Sequence, residues 1–231
     1  QKIYWGNSMY RKLTFILAVV FALQLVDPVD AQQSTKKPLT VAVLLFNGVE
    51  LLDFAGPAEV FIVCDHGNAF RLVTVASTTK PIKTMGGVTV IPDYAYSEAP
   101  TADIVVVPGG AMSNVNDDGV SWIKKAHKTS KVTMSVCMGA FLLARAELLD
   151  GISATTHRWG LSGLRSAAPN CKVVRSRRFV DSGKIVTTAG VTAGIDGALH
   201  LVERLLGKEQ ADWTANEWME YKRPDDTKDD N

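Results

Sequence analysis

What this 231-residue sequence has little of narrows its reading first. It carries three cysteines and four histidines, with no Cys-x-x-Cys and no His-x-x-x-His pattern, so nothing in the spacing suggests a metal site. Cys64, Cys137 and Cys171 are odd in number and irregular in spacing, which makes a poor disulfide framework for a domain of this size. Neither sign of charge is in surplus. Setting aside Lys2, Arg11 and Lys12 with Asp27 and Asp30 leaves 22 charges of each sign, which gives no electrostatic case for nucleic acid or for an anionic membrane. Repeats and long linkers are absent, and the uncharged run over residues 13–26 is shorter than the roughly 20 apolar residues of a membrane span.

That run is present for another reason. Arg11 and Lys12 precede it, and Val29-Asp30-Ala31 follows it, which is the three-part layout of a secretory signal peptide cut after Ala31. The expectation is a leader over residues 9–31 and a secreted or extracytoplasmic protein, with membrane association only if the leader is retained. Residues 1–8 precede the first methionine, Met9, and read as translated upstream sequence. The remainder, 46% hydrophobic and 21% charged over the whole chain, suits one core, expected over residues 32–223. Residues 224–231 hold Asp225, Asp226, Asp229 and Asp230 with no apolar residue and read as a solvated tail.

Short runs of Val, Ile and Leu alternate with helix-like stretches. Residues 39–46, 70–76, 102–107 and 132–136 read as strands buried on both faces, and 54–64, 120–128 and 140–149 as helices between them. The pattern predicts an α/β fold, a doubly wound, mostly parallel sheet sandwiched by helices. Residues 83–92 and 173–188, with Gly86-Gly87 and Asp181-Ser182-Gly183, look like hairpins appended to the sheet. A helix over 193–206, closed by Gly207, and a final helix over 208–222 complete it.

Three segments at one sheet edge carry the chemistry. Ser135-Val136-Cys137-Met138-Gly139-Ala140 puts a cysteine where a buried strand turns into a helix. That is a nucleophile elbow, and the helix N-terminus there is expected to favour a thiolate. A buried small hydrophobe is the alternative reading of Cys137. Pro108-Gly109-Gly110 lets backbone N–H groups approach a bound group, as oxyanion donors must, and is otherwise a plain turn. Asp53 is either an N-cap or a carboxyl beside the cysteine that burial enables to shuttle protons.

The series Leu52-Asp53-Phe54-Ala55-Gly56-Pro57, Val107-Pro108-Gly109-Gly110, Ser135-Val136-Cys137 with Gly139, Ala154-Thr155-Thr156-His157 and Thr192-Ala193-Gly194-Ile195-Asp196 resembles the ThiJ/PfpI superfamily. The superfamily has a flavodoxin-like, class I glutamine amidotransferase-like fold. Within it the chain is most similar to the isonitrile hydratase-like branch, from about Leu39 to about Lys222. The resemblance implies Cys137 as nucleophile, Asp53 as its paired carboxyl, and the N–H groups of Gly110 and Met138 as oxyanion donors. Gly109, Gly56 and His157 are expected at the pocket. Isonitrile hydratases add water across R–N≡C to give N-substituted formamides, without metal or organic cofactor. The implied partners are therefore a small-molecule substrate and a second copy of the chain, a homodimer with the first helix near its interface.

One departure stands out: the hydratases carry threonine after the cysteine, where this chain has Met138. Protease-like members carry histidine there, so their triad does not transfer. His157 either reaches the site or caps the helix starting near Gly160. Against an enzyme stands a ligand-binding or redox-responsive protein with an oxidisable Cys137. Transcription control is set aside, since no helix-turn-helix module reads after Lys222.

Overall fold

The computed structural model describes residues 37–224; the expected leader and, apart from Pro224, the acidic tail lie outside the described residues. The apolar runs become strands because each is covered on both faces: the consecutive pairs Val41 and Ala42, Val105 and Val106, and Thr133 and Met134 are all buried. In chain order the strands are β1 (Leu39–Leu44), β2 (Phe70–Ala76), β3 (Ile82–Lys83), β4 (Thr89–Val90), β5 (Tyr94–Ala95), β6 (Ile104–Val107), β7 (Val132–Ser135), β8 (Ser153–Ala154), β9 (Lys172–Val173), β10 (Phe179–Asp181) and β11 (Ile185–Thr188). Seven form one sheet in the order β10-β11-β7-β6-β1-β2-β5, parallel at every pairing except β10 with β11. The chain leaves β1 for β2 on one side and returns to β6 on the other, which places a topological switch point between β1 and β6.

The helices are α1 (Leu51–Val63), α2 (Asp117–Thr129), α3 (Ala140–Arg145), α4 (Leu161–Ala167), α5 (Ala193–Leu206) and α6 (Lys208–Trp213). They pack in two groups, α1 with α5 and α6, and α2 with α3 and α4. Consecutive residues of β7 show that the groups cover opposite faces. Thr133 meets His127 of α2, while Met134 lies under Gly197 of α5. The result is a doubly wound, mostly parallel sheet flanked by helices. Among the described residues no helix is long and apolar enough to cross a membrane.

Several boundaries differ from the sequence reading for identifiable reasons. The helix expected over 120–128 starts at Asp117, because the Asn116 side chain caps it by accepting from the Gly119 N–H at 3.1 Å and Asp117 and Asp118 suit its first turn. The helix expected over 140–149 stops at Arg145: Glu147 takes a φ of +57°, and the Leu148 N–H turns back to the Leu143 carbonyl at 3.0 Å. The final helix runs as α6 and then widens into a π turn over Thr214–Trp218, leaving Tyr221 beyond it. Only one expected hairpin is an appendage, β3 with β4. β11 is an integral strand, parallel to β7, and only β10 is added at the edge.

Candidate active site

The elbow is built by what surrounds Cys137. β7 ends at Ser135, and Cys137 takes a φ of +55°, a left-handed conformation that costs an L-residue roughly 1–2 kcal/mol. Two bonds hold it there: its N–H donates to the Ala189 carbonyl at 2.8 Å, and its carbonyl accepts from the Thr156 hydroxyl at 2.7 Å. Gly139 lets the turn pass beneath β6, since a Cβ there would fall 2.0 Å from the Val107 oxygen.

Asp53 reaches the same place from the first turn of α1, so it is not the N-cap; Glu50 is, and without a side-chain capping bond. Asp53 is fully buried. Its Oδ2 accepts from the Gly109 N–H at 3.0 Å, while Oδ1 is buried without a hydrogen bond of ordinary geometry. Burial is the largest influence on this carboxyl and pushes it up to about 6. The Gly109 N–H and the neighbouring Cys137 thiol act against the rise, the Glu50 charge adds to it, and the Val191 N–H weakly opposes it. Gly109 marks the point of convergence: a Cβ on it would lie 2.6 Å from Asp53 Oδ2, 2.8 Å from the Met138 nitrogen and 3.0 Å from Cys137 Cβ.

Burial works against the thiolate expected from the helix N-terminus. α3 has six residues and follows a single 3₁₀ turn, so it supplies little dipole. Burial and then the Asp53 charge push the Cys137 thiol up to about 12, against the Met138 and Val191 N–H groups. Burial therefore opposes the charged form of both groups, and the Asp53 charge further opposes the thiolate.

The other expected site residues are placed as follows. Glu50 N–H to Gly109 oxygen at 2.9 Å and Ala111 N–H to Gly48 oxygen at 2.9 Å form a short ladder around Val49 and Gly110, leaving the Gly110 N–H outside it. The Met138 nitrogen lies at the convergence beside Gly109, its N–H lowers the Cys137 pKa, and its thioether packs on Gly160 beside the Phe141 ring. Gly56 is corrected from a pocket residue to a helix contact: it sits where α1 meets Ile195 of α5. His157 caps the next turn, accepting from the Trp159 N–H at 3.3 Å, and its ring lies against Gly190. No group of three or more His, Cys, Asp or Glu among the described residues is placed to hold a metal.

Two contributors were missed from the sequence. Thr156 anchors the elbow through its hydroxyl, and Val191 brings a third N–H to the Asp53–Cys137 pair from a φ of +53°, rare for a β-branched residue. A signal for Val191 existed. Like the other three segments, 189–192 follows a strand at the same sheet edge and opens a helix.

Comparison with known proteins gives the family. An isonitrile hydratase of Pseudomonas putida is 31% identical over 75% of this chain and 75% of its own length. The HTH-type transcriptional regulator GbdR of Pseudomonas aeruginosa is 26% identical over 75% of this chain, which spans 48% of that regulator. A ThiJ/PfpI family protein from Pseudomonas syringae, at 23% identity, shares the fold with a TM-score of 0.73 over 87% of this chain and 82% of its own. The DJ-1/PfpI family model matches residues 39–204, a span that takes in Asp53, Gly109, Cys137 and Val191 together, and the chain accordingly belongs to the DJ-1/PfpI family.

Proposed function

We propose that the protein is a cysteine-dependent small-molecule enzyme that hydrates a carbon–nitrogen multiple bond, with isonitriles converted to N-substituted formamides as the leading reaction. The observation that carries this reading is the Asp53–Cys137 pair, a fully buried carboxyl with one oxygen lacking an ordinary hydrogen bond, converging with the cysteine at Gly109. The similarity to the Pseudomonas putida isonitrile hydratase supports the choice of substrate class.

The steps balance with this pair alone. As sulfur bonds to the terminal carbon of R–N≡C, the thiol proton passes to Asp53 and from there to that carbon, giving a thioimidate, R–N=CH–S–Cys137. Asp53, again ionised, takes a proton from water as its oxygen adds to the carbon, and the other electron pair goes to nitrogen, which is protonated. Collapse of the adduct breaks the carbon–sulfur bond, releases R–NH–CHO and returns a proton to sulfur. Charge that develops on the added oxygen meets the Met138 N–H and the Gly110 N–H that the ladder leaves unused. A carboxyl poised near 6 serves in both directions at neutral pH. Met138 in place of threonine keeps the backbone donor and loses only a hydroxyl.

A redox-sensing role is the weaker reading, because peroxide reacts with the thiolate and both burial and Asp53 hold Cys137 protonated. A homodimer remains part of the proposal, supported by Leu51 and Ile62, apolar and more than a third exposed on α1. Light scattering at the mass of one chain would remove it. The reaction itself is tested by incubating the protein with an aryl isonitrile and following formamide, with Cys137→Ala as control. Turnover lost in the control is expected; absence of turnover in the folded wild type would end the hydratase reading.

A further inference from the structure

The turn over residues 189–192, which carries the Val191 N–H, is gripped at both ends by one residue. The Arg178 carbonyl accepts from the Ala189 N–H at 2.8 Å, and its guanidinium Nη2 donates to the Thr192 hydroxyl at 3.1 Å. The same guanidinium donates through Nε to Asp196 Oδ2. Asp196, 4% exposed at the start of α5, has its second oxygen taken by the Tyr221 hydroxyl at 2.9 Å. Tyr221 comes from the segment after the π turn, so chain remote in sequence closes over this cluster. Inside the grip, the Ala189 carbonyl receives the Cys137 N–H, and Val191 holds a strained backbone that would relax if released. The pair is buried on its acid side and one-third exposed on the arginine side, so its contribution to stability is modest.

We propose that Arg178, seated by Asp196 and Tyr221, is a positioning residue that holds the turn over 189–192 strained, so that the Ala189 carbonyl keeps the Cys137 N–H and the Val191 N–H stays beside the Asp53–Cys137 pair. The proposal deepens the reading of Cys137 as the reacting thiol and applies to any reaction that passes through its thiolate. Arg178 touches no reacting atom; it acts through the Thr192 hydroxyl and the Ala189 N–H. Its fork is what fits, since a lysine ammonium is a point donor and cannot bridge Asp196 and Thr192 in the same planar geometry.

The test reads thiol chemistry rather than isonitrile turnover, so its failure is distinguishable from failure of the hydratase reading. Alkylation of Cys137 by iodoacetamide is followed by peptide mass mapping from pH 7 to 10 in the wild type, Arg178→Gln, Arg178→Lys and Tyr221→Phe. Losing one hydrogen bond to a charged group slows thiolate formation by roughly tenfold, and the expected result is that loss in Arg178→Gln, with the pH profile displaced upward by about one unit. Arg178→Lys should fall between, and Tyr221→Phe should slow the reaction a few-fold. Arg204→Gln is the reference: it breaks the ion pair to Asp181 in the same hairpin, touches neither end of the turn and should leave the rate unchanged. Wild-type or faster alkylation in folded Arg178→Gln would overturn the proposal. If that variant does not fold, wild-type rates in both Arg178→Lys and Tyr221→Phe would overturn it equally.

Discussion

Asp53 and Asp196 are both buried carboxyls at helix starts, yet they are built for opposite purposes. Asp196 has both oxygens occupied, one by the Arg178 guanidinium and the other by the Tyr221 hydroxyl. Asp53 has one oxygen on the Gly109 N–H and the other without a hydrogen bond of ordinary geometry, beside the Cys137 thiol. Burial with full satisfaction fixes a geometry; burial with an orphaned oxygen leaves a proton site in reserve, at a cost to stability. The molecule keeps a structural acid and a reactive acid within reach of one turn, at 189–192.

The largest break in this comparison is expected in turnover. Asp53→Asn removes the proton shuttle and should lower formamide production by about 10²–10⁴-fold, whereas Asp196→Asn, which only loosens the turn, should cost far less. Equal losses in the two variants would erase the distinction.

Stability should separate the pair with opposite signs. For Asp53 the folded state holds its proton up to about 6 while the unfolded chain releases it near 3.8, so between those values the folded state binds more protons and stability falls as pH rises. Above pH 6 the folded protein carries the full cost, about 3 kcal/mol for a shift of this size. Asp53→Asn should therefore be the more stable protein at pH 8, with the gain gone by pH 4. Asp196→Asn should be less stable at neutral pH. The Arg178 side chain is 33% exposed, so the loss is roughly 1–3 kcal/mol, below that of a fully buried pair. Urea denaturation at pH 4, 6 and 8 checks both signs.

The smallest effect is expected at Met138. Its N–H, at the convergence beside Gly109, survives the change to threonine, and its thioether lies on Gly160 away from Asp53 and Cys137. Met138→Thr should change turnover by less than about tenfold, the range of a single ordinary hydrogen bond. A change of several orders of magnitude would give the side chain a role that the backbone account denies it.

Much of this was legible in the sequence where local pattern and tertiary demand agree. Apolar runs such as Ile104–Val107 could only be covered strands, and a cysteine between a strand and small residues announced an elbow. What could not be read depends on distance along the chain or on burial. Ile185–Thr188, two apolar residues followed by two threonines, carries no sign that its partner is β7, some fifty residues earlier. The proton state of Cys137 follows from how completely it and Asp53 are enclosed, and sequence motifs do not state enclosure. Val191 is a β-branched residue in a conformation its type disfavours, held by an arginine thirteen positions before it and a tyrosine thirty after. Propensity argues against such a feature, and only the assembled fold supplies it.

Whether Asp53 moves the proton while its charge opposes the Cys137 thiolate is decided by measuring two rates in one preparation of Asp53→Asn and of the wild type at pH 8: formamide formed from an aryl isonitrile, and alkylation of Cys137 by iodoacetamide. The substitution is expected to move them in opposite directions, turnover falling steeply while alkylation speeds up because the carboxylate charge no longer opposes the thiolate. Wild-type turnover in Asp53→Asn, or both rates falling together, would contradict it.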